Sequence, residues 1–498
     1  MNYCTVCARL LAMQLQHEFA ELISLVEPLA DDILRLALTF LSNPINPQAA
    51  HEFEKALQEA VREMNREVVQ WTYNHIESED PQSIPLRIRV AGEEYRRKAK
   101  SANRHLGTLF GVITLYRFLY EPLERGEKSI FPLEMSLGVA ARNATPALAE
   151  RVGELATRLT QSELLELLER DFDVGWSVGT LRNVTAAVSQ GMLPYLHDAQ
   201  VKQILILLRQ AEVSRGRHKI VLAVGRDGIF LPIRNEKTYQ EGAVATLSVY
   251  DRRGRRLGTV YLGQMPEPHQ RTLSDRLTRL IEDVLCRWQG VWPRLAYVTD
   301  AGHHPTEYYQ KVLRRMEDPR RPAKRLHWIW IVDFYHASEY VGQLAEVLFD
   351  DPRAGRAWAR KMCKWLKHKP NGVFRVLHSA AKFHAEKKLS KKDEQAYHKA
   401  YGYLRNHKQS MDYAEYRRYG LPIGSGVTEA ACKTVFTQRF KESGMSWKNE
   451  SGQIVLDLRV IRLSGLWTEV HQAYLKSLRI VPYATKSNFC DIAMQIAA

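Results

Sequence analysis

No apolar run in this chain reaches 18 residues, and the N-terminus carries no basic-then-apolar signal pattern. The sequence therefore predicts neither a membrane span nor export. Cysteine is scarce and scattered, at positions 4, 7, 286, 363, 432 and 490 of 498. That spacing gives no disulfide framework and predicts a reducing, cytoplasmic setting. Cys4-Thr-Val-Cys7 is a lone CxxC without a second pair, so a metal or redox role is the minor reading there. Three familiar chemistries are missing as well: the chain has no nucleophile elbow, no P-loop and no zinc-ligand spacing.

What it has in excess is positive charge, +15 overall, which points to a polyanionic partner. The excess is local. Residues 1–95 carry 7 basic and 15 acidic side chains, a balance of −8, whereas residues 353–418 carry 18 and 5, a balance of +13. A basic segment of that kind reads as a binding surface rather than a general aid to solubility.

Hydrophobic periodicity divides the chain into five segments. Residues 1–95 read as amphipathic helices broken near Pro44 and Pro47, a helical arm suited equally to oligomerisation or to packing. Residues 96–211 open with the basic run Arg96–Lys100, followed by a Val/Ile/Tyr/Phe-rich stretch, Thr108–Tyr120, with the look of a short hairpin. A helix starting at Ser162, a turn with Asp173 and Gly175, and a second helix capped by Ser177 then fit a helix-turn-helix over 162–190. Its second helix would present Thr180, Arg182, Asn183 and Gln190 to DNA; an ordinary helical hairpin fits equally.

Residues 212–349 and 421–465 alternate strands and helices in the order β-β-β-α-β-α-β-α, which predicts an α/β fold with a mixed sheet. Between them, 350–420 is a basic helical insertion with interleaved aromatics, among them Trp358, Trp365, Phe374, Phe383, Tyr397, Tyr401 and Tyr403. These could stack bases while lysines such as Lys387, Lys388, Lys391 and Lys392 track phosphates, or they could form a bundle core. Residues 466–498 are a C-terminal tail.

Three acids stand out. Asp227 interrupts the apolar run Ile220–Leu231, where an unpaired carboxylate is costly. Asp300 ends the strand Leu295–Thr299. Glu429 lies in the first turn of a helix after Gly424-Ser425-Gly426, where capping or pairing with Lys433 is the plain alternative. That helix has Val427, Ala430, Ala431 and Val435 on one stripe and Glu429, Lys433, Phe436 and Phe440 opposite. Converging carboxylates repel, so they call for hard cations, Mg²⁺ or Mn²⁺, as two ions about 4 Å apart in phosphoryl transfer.

At these residues the chain resembles the DDE transposases of bacterial insertion sequences, in the Kra-type branch related to Mutator-like elements. The resemblance rests on Pro422-Ile423-Gly424-Ser425-Gly426-Val427-Thr428-Glu429-Ala430-Ala431-Cys432-Lys433, continued by Gln438-Arg439 and Ser443-Gly444-Met445-Ser446-Trp447, and on Asp333-Phe334-Tyr335-His336-Ala337-Ser338-Glu339-Tyr340. It implies an RNase H-like catalytic domain interrupted by the insertion, preceded by mainly helical N-terminal domains. It makes Asp227, Asp300 and Glu429 the metal-binding and catalytic triad, with Asp333 and His336 as an accessory Asp-x-x-His motif. Lys433 and Arg439 join the candidate DNA contacts.

The expected activity is binding of terminal repeats, cleavage and strand transfer on double-stranded DNA, by a nucleoid-associated homodimer or larger assembly. A structure-selective nuclease on the same fold, or a DNA-binding protein with an unused centre, are the alternatives. One departure from the family pattern is His303-His304 after Asp300-Ala301-Gly302, readable as ligands, phosphate contacts or plain surface.

Overall fold

The computed structural model describes residues 19–78, 80–124, 127–478 and 481; Cys4, Cys7 and Cys490 lie outside them. The chain forms two compact units, Met1–Gly191 with Ala473–Ala498, and Met192–Gln472. The division falls inside a helix rather than at 95 or 211.

In the first unit, α1 (Ala20–Ser42) and α2 (Pro47–Asn74) break where the prolines predict, with Asn46 capping α2 through Ala49 N–H and Pro47 in the first turn. The expected short hairpin is instead a three-stranded antiparallel sheet, β1 (Arg87–Val90), β2 (Glu93–Thr108) and β3 (Gly111–Pro122). Thr108 ends an arm rather than starting one, and the basic run Arg96–Lys100 is itself strand. Seven of the sixteen β2 residues are exposed, several of them charged, and this masks its alternation. Helix α2 covers the outer edge of β3: Gln70 and Asn74 accept from the N–H groups of Thr114 and Tyr116, and Glu77 from that of Phe118.

Helices α3 (Pro132–Ser136), α4 (Pro146–Ala156) and α5 (Gln161–Phe172) follow. A capping box of Thr160 and Glu163 starts α5, not Ser162, and Asp173 ends it in the left-handed region, at φ 54°. Ser177 Oγ accepts from Thr180 N–H as expected. The second helix, α6 (Val178–Val213), then continues for 36 residues instead of stopping at Gly191. Gly191 is a close-contact glycine: a Cβ there would lie 2.3 Å from the Tyr474 ring. The 162–190 segment is thus a short helix joined to a long one, not two short ones. Arg182 and Asn183 are exposed on it, with Arg182 reaching Gln161.

The second unit is mixed α/β. Strands β4 (Val221–Leu231), β5 (Gln240–Tyr250) and β6 (Arg256–Gln264) are antiparallel. Helix α7 (Arg271–Arg287) leads to β7 (Arg294–Thr299), then α8 (His303–Lys311). A two-stranded ribbon, β8 (Glu317–Asp318) and β9 (Arg321–Arg325), was not signalled by any apolar alternation; β9 is exposed throughout. Strand β10 (Trp328–Val332) and α9 (Phe334–Leu348) follow. The main sheet has the order β10-β7-β4-β5-β6, with β4, β7 and β10 parallel. On one face the stripe Leu273, Leu277, Leu280, Ile281, Val284 and Leu285 of α7 buries Leu222 and Val224.

The opposite face carries Val221, Ala223, Ala296, Val298 and Ile331 beneath α9 and the insertion helices α10 (Pro352–His368), α11 (Gly372–Glu386), α12 (Lys391–His407) and α13 (Tyr413–Arg418). Trp358, Met362, Tyr397 and Leu404 share one continuous core with the sheet, so the insertion is part of the unit's packing. Its aromatics follow suit: Trp358 and Tyr397 are buried, and Phe374, beside Lys408, is the one of the seven that is exposed.

Finally, α14 (Gly426–Ala431) runs through a π-helical turn, Cys432–Thr437, into α15 (Gln438–Phe440); α16 (Asn449–Leu463) and α17 (Trp467–Ser477) close the described chain. The π turn shifts the helical phase. The buried stripe is therefore Thr428, Ala431, Cys432, Val435, Phe436 and Phe440, while Ala430 is exposed, which corrects the simple-period expectation that set Phe436 and Phe440 opposite. Among the described residues no helix is long and apolar enough to cross a membrane.

Candidate active site

Strand register brings distant acids level. The parallel pair β4/β7 runs from Val221 opposite Arg294 to Gly225 opposite Val298, an offset of 73 residues. The pair β7/β10 runs from Leu295 opposite Trp328 to Thr299 opposite Val332, an offset of 33. Asp227 and Asp300 are 73 apart, and Asp300 and Asp333 are 33 apart. Carried one or two residues past the last pairs, these registers set the three acids side by side, Asp227 near the end of β4 and Asp300 and Asp333 directly after β7 and β10. By the two-residue alternation they point to the face of Ala223, Val298 and Ile331.

Glu429 reaches this row from α14, which sits directly on β4. A Cβ at Gly225 would lie 2.0 Å from Thr428 Oγ1, and that hydroxyl is 2.9 Å from Thr246 Oγ1 on β5. One helical turn beyond Thr428, the Cys432 thiol donates to Asp227 Oδ2 at 3.3 Å. Ser425 holds the other end: its N–H and its Oγ–H both reach Asp333 Oδ2, and its Oγ contacts Glu429 Oε1. Ligand atoms of Asp333, His336 and Glu429 lie within 4.8 Å of one another.

Asp333 is fully buried, caps α9 through His336 N–H at 2.8 Å and fastens the Gly-Ser-Gly loop. Within the Asp-x-x-His motif Asp333 is the brace, while the half-buried His336 has a ligand atom close to those of Asp333 and Glu429. The Asp227 carboxyl is pushed up to about 6, first by burial and then by the Asp300 charge, with Glu429 adding to it. The Gly228 N–H, 2.7 Å away, and the Cys432 thiol pull the other way.

A proton held more tightly in the folded than in the unfolded chain, whose carboxyl titrates near 4, costs nothing at low pH. The cost of ionisation grows from about pH 4 and is complete above about 6, reaching roughly 2–3 kcal/mol. In chelator, Asp227→Asn is therefore expected to melt above the parent at pH 7 and to match it near pH 4. Melting curves across that range check it; a variant less stable at pH 7 contradicts the repulsion.

The second acid is positioned from the insertion. Tyr403 on α12 donates to the Asp300 carbonyl at 2.7 Å and stacks on Tyr340 at 3.9 Å between centroids. Ala301 takes the left-handed conformation, at φ 64°, and Gly302 N–H donates to Asp300 Oδ1 at 2.9 Å. Tyr403→Phe removes one hydrogen bond worth about 1 kcal/mol. Its melting midpoint is expected to fall by about 2–4 °C; an unchanged midpoint in thermal unfolding removes Tyr403 from this role.

The remaining candidates divide. Lys433 is exposed one turn after Glu429, and Lys388, Lys391 and Lys392 are exposed on the insertion. Lys387 is not free: it pairs with Asp350 at 2.9 Å and donates to the Val347 carbonyl. Arg439 is corrected from DNA contact to core residue; it is 2% exposed, with its guanidinium over the Trp447 ring. Ser425, Cys432 and Tyr403 were missed as site residues. Ser425 and Cys432 sit inside the Glu429 motif and had a signal; Tyr403, 103 residues from Asp300, had none. No family model matches this chain, and no curated protein matches it either.

Proposed function

We propose that the chain is a DDE-type DNA transposase with an RNase H-like catalytic domain, acting by metal-dependent cleavage and strand transfer. One observation carries the proposal: Asp227 on β4 and Asp300 just past the end of the adjacent parallel strand β7 lie near enough, with Glu429 on a helix seated on Gly225, that the charges of Asp300 and Glu429 both raise the Asp227 carboxyl. The three carboxylates of Asp227, Asp300 and Glu429 offer oxygen donors that suit hard divalent cations, crowded enough to raise Asp227, while the His336 imidazole stands with Asp333 and Glu429 at the edge of the row. Asp227, Asp300 and Glu429 would hold Mg²⁺ or Mn²⁺, two ions that when bound activate a water or a 3′-hydroxyl and stabilise the leaving oxygen of a phosphodiester. Asp333 and Ser425 keep Glu429 aimed at the row, and Tyr403 fixes the Asp300 backbone.

Exposed Lys388, Lys391, Lys392 and Lys433 supply sequence-independent phosphate affinity, and Arg182 and Asn183 on α6 are the candidates for reading element ends. Exposed Leu34, Leu38 and Leu41 on α1 suit assembly into a homodimer or larger complex.

The experiment uses the full chain and linear DNA bearing the inverted repeats that flank its gene. End cleavage and joining are expected with Mg²⁺ or Mn²⁺, to be lost in chelator, and not to return with Ca²⁺, whose looser coordination suits binding better than in-line chemistry. Cutting without joining would favour a nuclease, and full activity in excess chelator would refute the metal-dependent reading.

A further inference from the structure

We infer a second metal site, for a transition ion of the Zn²⁺ class, at His303, His304 and Glu307. These residues open α8 at positions i, i+1 and i+4, so Glu307 lies below both imidazoles. Their ligand atoms all fall within 4.8 Å of one another, and the two rings stand nearly perpendicular with centroids 5.1 Å apart.

The two nitrogens of His304 are differently placed. Nδ1 is buried without a hydrogen-bond partner and faces Glu307 Oε2 at 4.0 Å. Nε2 faces Glu241 Oε2 on β5 at 3.8 Å. One nitrogen thus faces a carboxylate from a second element and the other is buried, unpartnered and turned to Glu307, the kind of outer carboxylate that orients metal-binding histidines. Glu307 has an oxygen to spare as well: Oε1 is held by Lys311 at 2.5 Å, and Oε2 is the one turned to His304.

Two imidazoles and one carboxylate select zinc, cobalt or nickel over magnesium. This separates the site chemically from the all-oxygen acid row. Three protein ligands leave a fourth position for water on the exposed His303 side. The site begins three residues after Asp300, across the Ala301 turn, so an ion here would pin α8 and the loop carrying the second acid. The inference does not depend on the proposed activity.

The test is titration of chelator-stripped full-length protein with ZnCl₂ by calorimetry, and with CoCl₂ by visible absorption. One ion per chain is expected to bind with histidine-type d–d bands, and to persist in Asp227→Asn/Glu429→Gln. His304→Gln is expected to weaken it at least about 100-fold, and Glu241→Gln about 10- to 100-fold. Melting in chelator should match the parent in each variant, and His303→Gln offers an independent exposed substitution if His304→Gln misfolds. Zn²⁺ affinity unchanged in both histidine variants, loss of the ion in Asp227→Asn/Glu429→Gln, or no binding at micromolar Zn²⁺ overturns the site.

Discussion

Asp227→Asn, Asp300→Asn and Glu429→Gln are each expected to reduce cleavage by at least about 10³-fold, the scale seen when a preorganised charged group at a reacting centre is removed. Binding to duplex DNA should change little. The exposed basic side chains lie on α12, at its entry and on α14–α15, while the acids lie at strand ends and in one helix turn, so the two functions are chemically separable. Asn and Gln keep shape and hydrogen bonding but lose the charge that holds a cation. Cleavage rates and gel-shift affinities measured on the same preparations decide the matter. A single variant that cuts at the parental rate is not part of the triad; one that loses binding and cutting together points to misfolding.

The second large effect is steric. Gly225 has no side chain where α14 crosses β4, and a methyl group there would meet Thr428 Oγ1 at 2.0 Å and Thr246 Oγ1 at 2.9 Å. Gly225→Ala must lift the helix that carries Glu429 or distort the strand that carries Asp227. Overpacking of this kind costs about 1–3 kcal/mol, and a displacement near 1 Å at a reacting centre costs about 10²-fold in rate. We expect both, together with partial rescue in Gly225→Ala/Thr428→Ala, where the nearest clash is gone. Activity equal to the parent in the single variant would show that the seat of α14 is not what aims Glu429. The double variant separates crowding from a general loss of folding, because a truncation at Thr428 is not expected to restore what an added methyl group at Gly225 costs unless the two touch.

Much of the centre was legible because its residues break local rules. A carboxylate inside the run Ile220–Leu231 has no reason to be there for packing, and Asp300 ends a strand that would otherwise turn through polar loop residues. Of the Gly-Ser-Gly stretch only Gly424 makes a close approach, to the Tyr335 ring, and Gly426 faces open space; the tight seat of α14 is at Gly225, which carried no such signal. The succession of strands and helices along the catalytic segment, the mixed character of its sheet and the buried stripe of α7 followed from periodicity. What did not follow were features set by tertiary context. The π turn moved Phe436 and Phe440 into the core and carried Arg439 with them. Helix α6 passes through Gly191, where the Tyr474 ring leaves no room for a side chain, and no local signal distinguishes that glycine from a stop. Strand β2 hid behind its charges, and Lys387 looked like its exposed neighbours until Asp350 was found beside it. The level row of Asp227, Asp300 and Asp333 could not be read at all, because register is a property of pairs of strands.

That register has an evolutionary consequence. The row depends on pairing within β4, β7 and β10, not on the length of chain between them. Residues added to the connection between α7 and β7, or to the β8–β9 ribbon, would leave the three acids aligned. A single residue inserted in β4 ahead of Asp227 would turn its carboxylate to the opposite face of the sheet, against α7. Distant relatives of this chain should therefore differ freely in the spacing between their acids while keeping each acid at a constant distance from the apolar word that precedes it, and searches built on those short words will reach further than searches built on intervals.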